Sequence, residues 1–246
     1  MVRNSEEGEA MLRQRAAPLP NVLVDVDTQM DFLSAEGSRP IANLSVLDNI
    51  QRVFRWGRRY RVTFISSLDI HRITDPRRDV PVHCLADSPG ALKLPATLLA
   101  RRILVQTDDT INLPHDLLTR YRQILFVKRG DDLTRNPKAD RLLSEIQVAN
   151  FILFGVGLEE SIRTLALALL TRRHNVWLVT DACGYWDEQA ADLASKQIAA
   201  KNGRLLTTAE LLQVKPDLAR VRSSILLRRR LRTNADHSTI DHPANH

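Results

Sequence analysis

The chain has 246 residues, a formal net charge of +6 and 43% hydrophobic residues, enough to bury a core of its own without covalent staples. Its only cysteines, Cys84 and Cys183, do not make a disulfide framework, so the expected compartment is a reducing cytoplasm. No apolar run approaches the roughly 18–20 residues of a membrane helix, and the first 20 residues intersperse Arg3, Glu6, Glu7, Glu9, Arg13 and Arg15 without the apolar centre of a signal peptide.

Residues 1–19 read as a flexible extension. Asn21 to Asp27 then reads as a buried strand, and Ser45 to Tyr60 has helical spacing through Val46, Leu47, Ile50, Val53 and Phe54. Val62 to Ser67 is a second strand. From Asp69 to Pro95 the chain carries Pro76, Pro81, Pro89 and Pro95 among mixed polar residues, a long excursion of the kind that is usually functional inside a compact domain. Ile103 to Gln106 predicts a short strand and Pro114 to Arg120 a short helix with proline in its first turn.

Ile124 to Lys128, Phe151 to Gly155 and Val176 to Thr180 predict three more strands, separated by helices over 138–147 and 158–172. A last helix over 187–201 leads to a short strand at Arg204 to Leu206 and a helical turn opened by Thr207 or Thr208. Strands with continuous apolar interiors that alternate with helices predict one α/β domain over residues 20–214, a three-layer α/β/α fold with a mainly parallel sheet of about six strands.

Residues 215–232 hold Lys215, Arg220, Arg222, Arg228, Arg229, Arg230 and Arg232 against the single acid Asp217, a local balance of +6 that equals the total. The rest of the chain is therefore near neutral, and the basic pI belongs to the tail. Within the tail Leu218, Val221, Ile225 and Leu231 share a helical face, which predicts an amphipathic helix docking on its own core or on a partner subunit, followed by disorder from His237. No aromatic residue interleaves these arginines, so nucleic acid is not an expected partner of the protein.

Asp27, Asp69, Lys128, Ser161 and Asp181 all fall at carboxyl ends of predicted strands, the end at which parallel sheets hold ligands. An acid that ends a buried strand is more often a turn former than a catalyst. Three motifs in order carry more weight: Asp27-Thr28-Gln29-Met30-Asp31-Phe32 after the first strand, Lys128 ending Phe126-Val127-Lys128, and the turn Gly155-Val156-Gly157-Leu158-Glu159-Glu160-Ser161. With Thr180-Asp181-Ala182-Cys183 after the next strand, this pattern over residues 20–213 resembles the isochorismatase-like superfamily, which includes nicotinamidases and other cysteine hydrolases.

The resemblance implies a triad of Asp27, Lys128 and the residue at 161, and an oxyanion hole made by the N–H groups of Gly157 and Ser161 next to a cis bond at Val156-Gly157. The family nucleophile is a cysteine, whose pKa of about 8.5 falls beside a cation and at a helix start. Here it is a serine, and Leu158 stands where the family commonly has a small polar residue. A hydroxyl stays protonated near neutral pH and an ammonium cannot accept its proton, which leaves Asp27 as the base and predicts slow or absent amide hydrolysis. Cys84 and Cys183 read as packing residues and not as relocated nucleophiles.

Asp69-Ile70-His71 and His83-Cys84 place an oxygen and two imidazoles in the excursion, a donor set suited to zinc, iron or manganese. The resemblance implies the nicotinamidase metal site, in which the ion holds the ring nitrogen of the substrate; Asp75, Asp79 or water is available as a further oxygen ligand. No organic cofactor is expected. The chain admits three functional readings: hydrolysis of a C–N bond in a small ring-bearing carboxamide, isochorismatase-type cleavage of an enol ether with Asp27 as the acid, or a protein that binds a metabolite or partner without turnover. A homo-oligomer is the expected assembly.

Overall fold

The structure, a computed structural model, describes residues 20–75, 81–108, 110–215 and 222–223. Seven parallel strands form one sheet: β1 (Val22–Val26), β2 (Thr63–Asp69), β3 (Arg102–Val105), β4 (Gln123–Lys128), β6 (Phe151–Val156), β7 (Val176–Gly184) and β8 (Arg204–Leu206), in the order β3-β4-β2-β1-β6-β7-β8. The central strands are apolar runs buried on both faces, as parallel sheets require. Side chains alternate between the two layers. In β1, Val22, Val24 and Val26 face one layer and Leu23 the other.

The first layer is built by α4 (Pro137–Glu145), α5 (Arg163–Thr171) and α6 (Glu188–Ala200), which pack Leu142, Leu143, Leu165, Leu169 and Ile198 against Ile124, Phe126, Phe151 and Leu153. Asn136 caps α4 ahead of Pro137, and the Asp187 side chain caps α6 through Ala190 N. The second layer holds α2 (Val46–Arg59) and α7 (Thr208–Gln213), whose Ile50, Val53, Phe54 and Leu211 cover Leu23, Phe64, Phe154 and Val179. Two four-residue helices, α1 (Met30–Leu33) and α3 (Leu117–Arg120), complete the helical set of the described residues.

Beyond Phe64 of β2, which stacks on Phe54 of α2 at 4.4 Å, the second layer has no helix over the rest of β2 or over β4 and β3. The proline-rich excursion lies there instead, with short 3₁₀ turns at Pro89–Ala91 and Pro95–Thr97. It is held by a buried polar network. The Lys93 ammonium lies 2.8 Å from Asp25, which also accepts from Thr28 Oγ1 at 2.9 Å and Ser66 Oγ at 3.0 Å, while Gln123 Nε2 donates to Ser66 Oγ and to the Thr97 carbonyl. Burial pushes the Asp25 carboxyl above its ordinary range although Lys93 and its other hydrogen-bond donors pull the other way. Outside this network a cavity of about 830 Å³ opens over Leu68, Leu125, Val127 and Leu104.

Four expectations differ in detail. The helix predicted over 158–172 is a π turn at Leu158–Ile162 followed by α5. The helix over 138–147 stops at Glu145, because Ile146–Gln147 pairs as β5 with the antiparallel β9, Arg222–Ser223. Those two tail residues are therefore extended and not helical; Leu218, Val221, Ile225 and Leu231, like residues 1–19, lie outside the described residues. The strand predicted to end at Thr180 continues to Gly184 as β7.

Removing one partner of a buried ion pair strands the other, at a cost of about 3–5 kcal/mol. Lys93→Met is expected to lower unfolding free energy in denaturant by that amount, and Asp25→Asn added to it to recover a large part. Equal stability of Lys93→Met and the native chain would show that the network does not hold the excursion.

Candidate functional site

Three chain reversals meet at the carboxyl end of the sheet. The backbone turns at Asp27 in the left-handed region, with φ of 45°. There Ser67 Oγ donates to Asp27 Oδ1 at 2.6 Å and accepts from the Asp27 N–H at 3.2 Å. Lys128 ends β4 and reaches across to Asp27 Oδ2 at 2.7 Å, the Gly130 carbonyl at 2.6 Å and Ser161 Oγ at 3.1 Å. An ammonium has three donors, and here each one has an acceptor. Asp27, Lys128 and Ser161 are 3%, 2% and 6% exposed, so the group sits beneath the surface.

The charge state of Lys128 is set by its neighbours. Burial alone would lower its pKa, but the charges of Asp27 and Asp69 and the hydrogen bond to Asp27 raise it above the ordinary lysine value. It is a fixed cation. The Ser161 oxygen accepts from it, so the hydroxyl proton points elsewhere.

Ser161 reaches this position through the π turn. Gly157 takes a left-handed conformation with φ of 78°, and its carbonyl accepts from Ile162 N at 2.9 Å, five residues on. The expected oxyanion hole needs correction at one of its two members. No cis peptide bond occurs among the described residues, and the Gly157 N–H is already donated to the Gly184 carbonyl at 3.0 Å, so it is committed to β7. The other expected member, the Ser161 N–H, lies within the π turn.

A roof that sequence reasoning missed covers the turn. The Trp186 ring lies 3.1 Å from where a Cβ on Gly157 would be. Arg39 stacks on that ring at 3.6 Å and forks onto Glu160 with contacts of 3.0 and 2.7 Å, while Trp186 Nε1 donates to the Arg39 carbonyl. Glu159 Oε1 accepts from the N–H groups of Trp186 and Asp187 at 2.7 and 2.9 Å. Phe32 meets Trp186 edge-on at 5.5 Å. Glu159-Glu160 beside the nucleophile position was the available signal, but its partners come from segments more than 20 residues away in sequence.

Asp69, His71 and His83 do come together, with one ligand atom of each within 4.8 Å of the others. His71 Nε2 lies 2.9 Å and His83 Nε2 3.6 Å from Asp69 Oδ2. Each opposite ring nitrogen faces an oxygen: His83 Nδ1 is 2.7 Å from the Pro81 carbonyl and His71 Nδ1 3.7 Å from Asp75. The Pro81 carbonyl can only accept, so it fixes the proton of His83 on Nδ1 and turns Nε2 toward Asp69, and one carboxylate with two imidazoles is a donor set that fits a transition ion of the zinc type. Burial would raise the Asp69 carboxyl, but the Lys128 charge and the hydrogen bonds from His71 and His83 together hold it far below the usual carboxylate range. Asp75 stands at the cluster as an outer partner, and Asp79 lies outside the described residues.

The rest of the first motif is architectural. Gln29 ties the end of β2 to the excursion, donating to the Asp69 and Ala91 carbonyls and accepting from Asp69 N. Asp31 accepts from Cys84 N at 2.6 Å and Ser38 N at 3.0 Å. Asp181 is not part of the site: its carboxylate accepts from Thr208 N and Oγ1 at the start of α7. Both thiols are buried, and burial together with nearby carboxylates pushes them far up, which leaves them inert. The cavity over Leu125 and Val127 lies on the opposite face of the strands from Lys128 and contains none of the triad.

Residues 21–210 match the isochorismatase domain family. The chain belongs to the isochorismatase family. The fold agrees with solved members and with neighbours of other activity. An isochorismatase family protein from Desulfovibrio vulgaris subsp. vulgaris str. Hildenborough superposes with a TM-score of 0.62 at 17% identity, covering 78% of this chain and 96% of that one. A pyrazinamidase of Pyrococcus horikoshii in complex with zinc gives 0.56 at 17% identity, over 76% and 99% of the two chains. A ribonuclease from Caenorhabditis elegans gives 0.55 at 18% identity, over 80% and 82%. No curated protein sequence matches the chain. Family membership makes the protein a hydrolase.

Zinc added to metal-free protein, followed by dialysis and elemental analysis, is expected to leave about one ion per chain, and His83→Ala to leave much less. Equal retention by both proteins would place the ion elsewhere.

Proposed function

We propose that the protein hydrolyses the C–N bond of a small, ring-bearing carboxamide. The observation that carries this reading is the continuity of two charged sets: Lys128 contacts Asp27 and Ser161 directly, and its charge also acts on Asp69, which belongs to the donor set with His71 and His83. An enol-ether cleavage by Asp27 needs no such donor set. Two further observations support an amide substrate: the flat Trp186 and Phe32 rings beside the site suit an aromatic ring, and the zinc-bound neighbour is a pyrazinamidase.

In the proposed reaction Asp27 takes the hydroxyl proton of Ser161 as Oγ attacks the amide carbon. Lys128, 3.1 Å from Oγ and already fully donated, stabilises the oxygen as charge builds on it and never acts as the base. The Ser161 N–H is the family-type donor for the carbonyl oxygen. Asp27 then returns the proton to the leaving nitrogen, ammonia departs, and water releases the acid from the Ser161 ester by the reverse route. A bound transition ion would hold a ring nitrogen of the substrate and polarise the ring; Asp69, His71 and His83 would hold that ion. Ser67, hydrogen-bonded twice to Asp27, fixes the carboxylate so that Oδ2 faces Lys128.

A hydroxyl gives up its proton far less readily than a thiol of pKa about 8.5. The native protein is therefore expected to release ammonia from nicotinamide or pyrazinamide slowly, Ser161→Cys at least roughly tenfold faster, and Asp27→Asn in either background not at all. Ammonia from neither the native protein nor Ser161→Cys, in protein shown to carry zinc, would rule out the amide reading; release of pyruvate from isochorismate instead would support acid cleavage by Asp27.

A further inference from the structure

The near-zero charge balance of the folded part conceals a segregation along the strand direction. Carboxylates gather at the carboxyl end, where Asp27, Asp31, Asp69, Glu159 and Glu160 surround the site. The opposite rim, where β2, β4 and β3 begin, is built from arginines. Arg59 and Arg61 lead into β2, Arg120 and Arg122 into β4, and Arg101 and Arg102 into β3.

Backbone pairing forces these six together. Phe64 N donates to the Arg122 carbonyl at 2.8 Å and Arg122 N to the Arg101 carbonyl at 2.8 Å, so the three segments lie side by side. Arg59, Arg61, Arg101, Arg102 and Arg120 are exposed. Among the described residues, the ion pairs include only one of the six, Arg120 with Asp116 at a loose 3.9 Å. Three of the guanidinium groups are anchored by carbonyls and keep their charge unneutralised: Arg122 donates to the Val62 carbonyl, Arg101 to those of Thr119 and Arg120, and Arg102 to that of Leu99. Burial and the charges of Arg61 and Arg101 push the Arg122 pKa down, the sign expected where cations face one another.

Two tyrosines alternate with these arginines. Tyr60 lies between Arg59 and Arg61, and Tyr121 between Arg120 and Arg122; both are half-buried, with Arg59 5.9 Å from the first ring and Arg120 5.5 Å from the second. Guanidinium groups match phosphate in a bidentate manner, and exposed aromatic and guanidinium faces stack bases. No large exposed hydrophobic residue lies in these three leading segments, so the rim lacks the apolar wedge of a membrane-inserting surface.

We propose that the arginine rim at the amino-terminal edge of β2, β4 and β3 binds single-stranded nucleic acid, its guanidinium groups on successive phosphates and Tyr60 and Tyr121 against bases. The rim is about 20 Å from the triad, the length of β4, so binding there is separate from hydrolysis and does not depend on it. The two tyrosines distinguish this rim from the basic tail, in which no aromatic residue occurs.

The test is fluorescence anisotropy of a labelled 20-residue oligouridylate with the full chain across a salt series. Two variants with opposite expectations are compared. Arg59→Glu/Arg61→Glu/Arg120→Glu leaves the carbonyl-anchored Arg101, Arg102 and Arg122 in place and is expected to weaken binding at least roughly tenfold and to flatten the salt slope by several units. Arg228→Gln/Arg229→Gln/Arg230→Gln is expected to weaken it less. Circular dichroism melts check that each folds, and the glutamine version of the rim variant, with a smaller loss expected, serves if the glutamate version does not. Unchanged binding by a folded rim variant, loss confined to the tail variant, or no binding by the native chain at low salt would overturn the proposal. So would phosphatidylserine vesicles that bind the native chain and are not displaced by the oligonucleotide.

Discussion

The structure depends on a buried ammonium. Lys128 sits at the end of a strand with almost no access to water, and two carboxylates at the ends of β1 and β2 keep it charged. An unpaired charge in that position would cost several kcal/mol. The Asp27 reversal, the Gly130 turn and the Ser161 turn are therefore bound to one point: if any one moved away, the ammonium would lose a donor contact it cannot replace from solvent. This explains why residues from β1, β4 and the turn after β6, more than 100 residues apart in sequence between Asp27 and Ser161, converge within hydrogen-bonding distance.

A second tier of buried polar groups holds the segments that carry the site. Gln29 and Asp31 join the first turn to the excursion that brings His83 beside His71. Space is tight there: a Cβ on Gly90 would fall 2.1 Å from an Asp31 oxygen. The Asp25–Lys93 network does the same for the strip over β2 and β4. The motif Asp-x-Gln-x-Asp thus contains one residue in contact with Lys128 and two that build around it. Spacing alone does not tell these roles apart, because all three are buried polar residues at the end of one strand.

The fold was legible because its signals are local. The apolar runs of β1, β4 and β6 and the spacing of α2 marked the elements within a residue or two, and the residues at their carboxyl ends pointed to the site. What the sequence concealed is nonlocal. The Lys93–Asp25 pair joins positions 68 apart, the Arg39–Glu160 fork joins positions 121 apart, and the arginine rim is assembled from three separate segments. Counting charge along the chain located an excess in the tail, but it averaged over a folded part that gathers arginines at one end of the sheet and carboxylates at the other. The occupied Gly157 N–H was hidden for a related reason: its acceptor, Gly184, belongs to a strand that runs farther than its apolar stretch.

The π turn at Leu158–Ile162 closes its hydrogen bond over five residues, one more than an α-helical turn requires. The placement of residue 161 is thus set by a count of residues. Each residue added to or removed from a helical turn rotates the downstream side chains by about 100°, so the register of this loop fixes which side chain looks at Lys128 whatever its chemistry. Sulfur or oxygen can occupy that point while the scaffold stays the same, and the reactivity of the site is separable from its architecture at a single atom.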